Sequence, residues 1–340
     1  MNSFGRIFRV SIFGESHGES VGIVIDGCPA GMSLFAEDFL PDLERRKGGK
    51  QKGTTPRQEE DLPVFKSGLF NNNTTGAPIT IIFENRDTRG SDYEKQKAVP
   101  RPGHADFVAR QKFGGFEDYR GSGHFSGRLT VGLVAAGVIA KKLLLEVGPV
   151  IKINASILEI GGETDLDKGL QKAIDAKDSV GGIIECRISG LPAGLGEPFF
   201  DSVESVLSHL VFSIPAVRGI EFGTGFPASK MFGSEHNDAI KNMKGETVTN
   251  HAGGIVGGLT NGNELVYRIA IKPTSSTPKE QNTLNWETGK KETVSVKGRH
   301  DLCIALRVPP ILEAVTAIGL ADLFMLEQKI DRVLNKPGTE

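Results

Sequence analysis

The stretch FGESHG, residues 13–18, places a carboxylate, a hydroxyl and an imidazole side by side between two glycines. Glu15 accepts hydrogen bonds, Ser16 donates and accepts, and His17 exchanges a proton near neutral pH. Glycine on either side lets the backbone turn and lets a ligand lie against it, so the stretch suits a ligand site as well as it suits a solvated turn after a strand. Further on, RRKGGKQKGTTPR (45–57) gathers Arg45, Arg46, Lys47, Lys50, Lys52 and Arg57 without an acidic residue. That is the make-up of a solvated face or of a clamp for phosphate or carboxylate. RPGHADF (101–107) sets Arg101, His104 and Asp106 around a Pro-Gly turn. DYRGSGHFSGRLT (118–130) is a glycine-rich loop with Ser122, His124, Ser126 and Arg128 that runs into an apolar helical stretch, so its amides would face an anion at the helix start. It has neither the Walker spacing nor the dinucleotide fingerprint. KPTSST (272–277) joins a lysine to several hydroxyls, and KGRHDLC (297–303), with Arg307 after it, puts Asp301 among cations that would hold it ionised.

The elements that must position these residues are partly readable. Strand-like runs bounded by Gly, Pro, Asn or Asp occur at RIFRVSIF, VGIVIDG, APITIIFEN, GGIIECRIS, ELVYRIAIKP and KETVSVKG. Apolar periodicity predicts helices over 35–46, 128–145, 164–177, 201–213 and 309–334. The 128–145 run is apolar nearly all round, the pattern of a helix buried between layers. Several strands follow one another without a helix between, so an α+β fold with central helices against antiparallel sheets is expected over a doubly wound one. No linker, repeat or charge block divides the chain, and a single domain, 1–340, closing around one site is expected.

At 340 residues and 38% hydrophobic content the chain can bury a real core. A net charge of −2 opposes a general nucleic-acid or membrane-surface binder while leaving room for a local basic site. The first residues carry charges and glycine where a secretory signal needs an unbroken apolar core, and no apolar run is long enough to span a bilayer, so a cytoplasmic protein is expected. Cys28, Cys186 and Cys303 lie far apart with no CxxC spacing and read as small buried apolar residues; no metal site is expected.

The ordered motifs resemble the chorismate synthase family over nearly the whole chain. GESHGESVGIVIDGCP resembles its first signature and GRHDLCIALRVPPILEAV its last, with RPGHADF, SGLPAGLGEP, NHAGGIVGG and KPTSST between them in family order. The middle signature departs: where the family reads RSSARET this chain has HFSGRLT, keeping Ser126, Arg128 and Thr130. The resemblance implies a β-α-β sandwich with central helices between two antiparallel sheets, a homotetramer, and an anti 1,4-elimination of phosphate from 5-enolpyruvylshikimate 3-phosphate to give chorismate, with reduced FMN required and no net redox change. The departing hydrogen is not next to a carbonyl, so a side-chain base alone would face a poorly acidic C–H; reduced flavin can lend electron density and take it back.

The resemblance also implies roles. His17 stands by the leaving phosphate and His104 by the flavin, while Asp301 relays a proton with Ser16 and Ser126. Arg45, Arg46, Lys52, Arg101, Arg128 and Arg307 match basic positions for the phosphate and carboxylates of substrate or NADP, with Lys52 standing where many members have Arg. His124, Phe125, Ser126, Pro215, Ala216, Gly257, Lys272, Pro273, Thr274, Ser275, Ser276 and Arg299 match FMN positions. Because His124 and Phe125 replace Arg and Ser, contact there is expected from the backbone. Electrons would come from NADPH through the chain itself or from a separate flavin reductase. Two rival readings remain: a flavin- or anion-binding paralogue without turnover, suggested by HFSGRLT, and a nucleic-acid binder resting on 45–57 alone, which the net charge opposes.

Overall fold

The computed structural model describes residues 2–49, 52–88, 93, 97–146, 151–296, 300–328 and 330. Strands β1 (Ser3–Phe4), β2 (Arg9–Gly14), β3 (Ser20–Asp26), β4 (Val64–Ser67) and β5 (Ile79–Glu84) form one sheet in the order β1-β2-β3-β5-β4, every pair antiparallel. β3 is its centre. Ile23 faces Ile12 on one side and Ile81 on the other, and the apolar run VGIVI is long enough to bury both faces of a strand. A second antiparallel sheet holds β6 (Lys152–Ile160), β7 (Gly182–Ser189), β8 (Val217–Phe222) and β9 (Leu265–Ile271) in the order β8-β9-β7-β6.

Apart from the single turn Gly233–His236, the α-helices among the described residues are α1 (Leu40–Arg46), α2 (Asp106–Phe113), α3 (Thr130–Leu145), α4 (Leu166–Ala176), α5 (Val203–Val211) and α6 (Pro309–Leu326). α3 and α6 are buried along almost their whole lengths. α3 packs on β2, β3 and β5, α6 packs on β6 and β7, and the two helices pack on each other. A Cβ on Gly137 would lie 2.3 Å from Ala314 Cβ, so the absence of a side chain on α3 sets how closely the pair approach. Contrary to the expectation that no apolar run reaches bilayer length, α6, alone among the described residues, is long and apolar enough to cross a membrane, and 89% of it is buried in this core. Cys28, Cys186 and Cys303 are unpaired and buried as well. Burial pushes the Cys28 and Cys186 thiols up to about 12, which leaves them as packing residues.

The antiparallel α+β class forms as the strand order predicts, with differences in detail. The helix over 35–46 opens as a 3-10 turn, Ala36–Phe39, before α1, and the one over 309–334 is helical to Leu326, with 331–334 outside the described residues. The strand read at KETVSVKG pairs, over Lys291–Val294, with Gln281–Leu284 in a hairpin separate from both main sheets. Sequence patterns missed β1, β4, β6, β8 and α2, along with the hairpin strand Gln281–Leu284. β6 (KINASILEI) mixes Lys, Asn and Ser into its run and is buried irregularly, so its periodicity is weak. α2 begins inside RPGHADF, where Pro102 and Gly103 signal only a turn.

Candidate active site

Loops leaving both sheets and both core helices converge on a cavity of about 910 Å³, in the upper part of the ~300–1,000 Å³ range of small-molecule sites. Part of its lining is apolar: Ile304, Val308 and Ile311 at the start of α6, with Val108 and Ile214. The rest is polar, with cationic side chains outnumbering carboxylates.

Asp61 organises one side. Arg46, at the end of α1, donates to Asp61 Oδ2 (3.1 Å), Thr130 Oγ1 (2.9 Å) and the carbonyls of Gly127 and Arg128 (3.1 Å each). Arg128 donates to the other Asp61 oxygen, to Asn85 Oδ1 (2.9 Å) and to the Glu84 carbonyl (3.2 Å). One carboxylate between two buried guanidiniums leaves positive charge out of water. Burial, opposed by Asp61 but reinforced by Arg307 and Arg128, pushes Arg46 down to about 9. An anion in the cavity would relieve that imbalance. Next to it Arg57 donates to Ser16 Oγ (2.9 Å) and the Ser16 carbonyl (3.1 Å) while Glu59 holds it at 2.7 Å. Arg307 donates to Asp301 Oδ2 (3.0 Å) and to the Arg46 carbonyl (2.9 Å), and Asp301 Oδ1 accepts the Thr55 N–H (2.8 Å).

The opposite side is built on Arg101. It donates to Asp106 through Nε (2.8 Å) and Nη2 (2.7 Å) and to Ser276 Oγ through Nη1 (3.0 Å). His104 Nδ1 lies 2.7 Å from Asp106 Oδ1. Burial works to raise the Asp106 carboxyl, but the bonds from Arg101 and His104 outweigh it and hold the group well below the usual carboxylate range. Burial also lowers His104. Lys272 Nζ donates to the Gly103 carbonyl (3.0 Å) and Ser275 Oγ (2.7 Å). Neither Lys272 nor the nearby Arg218 has an ion-pair partner among the described residues, which makes this corner an anion-receptive pole. His300 lines the cavity with a buried Nε2 that finds no hydrogen-bond partner among the described residues. Burial, then Arg101, pushes it down to about 4. Such an orphan is what a bound ligand would satisfy.

A pH dependence follows. His104 and His300 bind protons less readily folded than unfolded, so stability is complete above the ordinary histidine value of 6.5 and falls as pH drops from there toward about 4. His300 alone accounts for up to about 3 kcal/mol of that loss. Urea midpoints should fall between about pH 6.5 and about pH 4, and His300→Gln should flatten much of the fall; a midpoint constant over that range would contradict the burial described.

The chorismate synthase family profile matches residues 8–325 of this chain. The chain belongs to the chorismate synthase family. The chorismate synthase of Chitinophaga pinensis is 69% identical over 333 residues, covering 98% of this chain and 99% of that protein. That of Methanocaldococcus jannaschii is 41% identical over 367 residues, covering 96% of each. A crystal structure of chorismate synthase superposes with a TM-score of 0.71 at 23% identity, covering 95% of this chain and 93% of the other, which shows the shared fold.

Of the positions matched to the chorismate synthase motifs, Ser16, His104, Phe125, Ser126, Asp301, Pro215, Ala216, Lys272, Thr274, Ser275 and Ser276 line the cavity, with Arg46, Arg101, Arg128 and Arg307. Others do not. His17 lies behind the wall, its ring edge-on to Tyr93 at 5.0 Å and packed beneath Gly121, which bears no Cβ to collide with it. Arg45 turns away to pair both terminal nitrogens with Glu313 of α6 (2.7 Å each). Lys52 donates to Gln171 of α4 (2.9 Å). His124 stacks on Phe125 at 4.3 Å with Phe113 edge-on, and faces a smaller cavity of about 180 Å³. Pro273 is outside the lining, and Gly257 sits in the hairpin Ile255–Val256/Leu259–Thr260, also outside it. Arg299 and Lys297 lie outside the described residues. The helix-start anion site is altered too: Ser126 Oγ accepts the Arg128 N–H (3.2 Å), capping the 3-10 turn Gly127–Leu129 before α3.

Motif matching passed over Arg57, Asp61, Ser122, Arg218 and His300. Arg57 stood in the basic run, and the acidic EED that follows it after Gln58 was a signal for Asp61. Arg218 had none, since it lies on β8, a strand the pattern did not show.

Proposed function

We propose that this cavity binds reduced FMN beside 5-enolpyruvylshikimate 3-phosphate. The activity is that of a chorismate synthase, a phosphate lyase: the small-molecule substrate loses phosphate to give chorismate. The observation that carries the cofactor reading is the lining itself, an apolar strip for a flat ring system flanked by Lys272 and Arg218, which have no ion-pair partner among the described residues, and by His300 Nε2, which has no hydrogen-bond partner among them.

Reduced flavin bound here would supply electron density for the loss of phosphate without net oxidation. The protein's residues divide the remaining work. Lys272, Arg218, Thr274, Ser275 and Ser276 hold the anionic end of the cofactor. Arg46, Arg57, Arg128 and Arg307, already anchored to carboxylates and carbonyls, present a positive surface to the substrate phosphate and carboxylates without reorganising. Asp301, held by Arg307 and the Thr55 amide, moves a proton, and Ser16 and Ser126 on the same cavity lining relay it. His104 sits at the cofactor side. His17 acts from behind Gly121 by shaping the wall.

The contacts of α3 and α6 with opposite sheets support the β-α-β sandwich, formed by the chain as one domain, 1–340. Phe226, Phe232, Ile240, Met243 and Val248, all exposed in the segment between β8 and β9, offer apolar area for burial in a homotetramer. The protein works in the cytoplasm, with electrons from NADPH directly or through a separate flavin reductase.

Anaerobic assays test the reading. With photoreduced FMN, phosphate and chorismate should appear in equal amounts while the flavin stays reduced; with oxidised FMN or none, neither should appear. Flavin binding without phosphate release would favour the paralogue reading, and stoichiometric flavin oxidation would overturn the transient-donation role.

A further inference from the structure

We propose that Ser122 and Asp106 are positioning residues that fix His104 as the neutral tautomer protonated on Nδ1, with the Ser122 hydroxyl as the group through which His104 meets the cavity. The argument begins with the acceptors. Asp106 takes donors from the Arg101 side chain and from the Arg101 N–H (3.0 Å), as an ionised carboxylate does. Arg101 Nη2 also lies 3.1 Å from His104 Nδ1, but its two hydrogens are directed to Asp106 Oδ1 (2.7 Å) and Ser122 Oγ (3.1 Å), so against the carboxylate at 2.7 Å His104 Nδ1 is the donor. Its Nε2 then carries the lone pair, and Ser122 Oγ lies 3.1 Å from it. Ser122 Oγ also accepts from Arg101 Nη2 (3.1 Å), which directs its own proton toward Nε2. A row Asp106–His104–Ser122 results, with Arg101 touching all three.

The backbone adds an independent observation. Ser122 has φ +74°, between Gly121 at +54° and Gly123 at +51°. L residues other than Asn and Asp rarely adopt that conformation, and glycine would serve the turn alone without strain. What serine adds here is its hydroxyl.

The charged and titratable groups facing His104 come from three segments: Arg101 and Asp106 beside it, Lys272 at the end of β9, and His300 before α6. Only Asp106 favours an imidazolium, and burial opposes it further. A hydrogen bond donated to Nε2 stabilises the neutral ring in the same direction. This inference rests on the flavin and substrate reading only for what the fixed ring does in turnover.

The test is solid-state ¹⁵N NMR of histidine-labelled, cofactor-free protein across a pH series, with His104→Ala to assign the signal. The wild type should show His104 protonated on Nδ1 and unprotonated on Nε2. Ser122→Gly and Ser122→Ala should both raise its titration point by about half to one pH unit, and Ser122→Gly, which relieves the backbone, should fold at least as stably as the wild type. The acidic limb of the kcat profile should move upward by the same amount, and Asp106→Asn should mix the tautomers. An Nε2-protonated ring in the wild type, or a titration point unchanged in both Ser122 variants, would overturn the proposal. Because the NMR arm needs no flavin, a failure of the catalytic reading would leave its result intact and visible.

Discussion

Asp301→Asn is expected to lower turnover by about 10²–10⁴-fold while flavin and substrate still bind within a few-fold of the wild type. Asparagine keeps the size and one acceptor oxygen, enough to retain the Thr55 amide bond, but it cannot take up a proton. The geometry also defines the competing role. Asp301 Oδ2 holds Arg307 at 3.0 Å, and Arg307 in turn holds the Arg46 carbonyl. On that competing role, an asparagine amide turning its N–H groups toward the guanidinium would release Arg307, whereas on the proton-transfer role the Arg46 carbonyl bond keeps Arg307 in place. If anchoring were the whole function, Asp301→Asn and Arg307→Ala should look alike, with weakened substrate binding, lower thermal stability and a near-normal chemical step. Anaerobic single-turnover kinetics beside a binding titration separates the two. A near-normal chemical rate in Asp301→Asn would remove this carboxylate from proton transfer.

Gly121→Ala is expected to destabilise the fold by about 1–3 kcal/mol and to cut turnover about 100-fold. An added Cβ would lie 2.1 Å from His17 Nδ1, 2.2 Å from Cε1 and 2.9 Å from Ser16 Oγ, on a backbone at φ +54° that disfavours any side chain. Either the His17 ring or the 120–125 loop must shift, and that loop carries Ser122 against His104. A double-mutant cycle with His17→Ala isolates the cause. Removing the ring should recover part of the lost stability, because the clash disappears while the backbone strain stays, and turnover should remain low. Additive effects of the two changes would mean that the wall is not packed as described.

Much of this protein was legible in its residues because the signals are local. Strand-like apolar runs bounded by turn residues gave β2, β3, β5, β7 and β9, and an all-round apolar run gave the buried helix α3, since such runs are written in neighbouring positions. Motif order gave the family, and the polar stretches gave most of the loops that line the cavity. What the linear order could not carry was partnership. Arg45 and Arg46 are adjacent in one basic run, yet Arg45 is spent on Glu313, 268 positions away, while Arg46 joins Arg128 across Asp61 at the cavity wall. Arg57, from the same run, reaches Ser16, and His17, next to that serine, is hidden beneath Gly121. Whether a charge is free for a ligand depends on carboxylates within a few ångströms and on how much water is excluded around it, because ion pairing and desolvation both change steeply over that distance. Those distances exist only once the sheets and the two core helices have brought remote loops together.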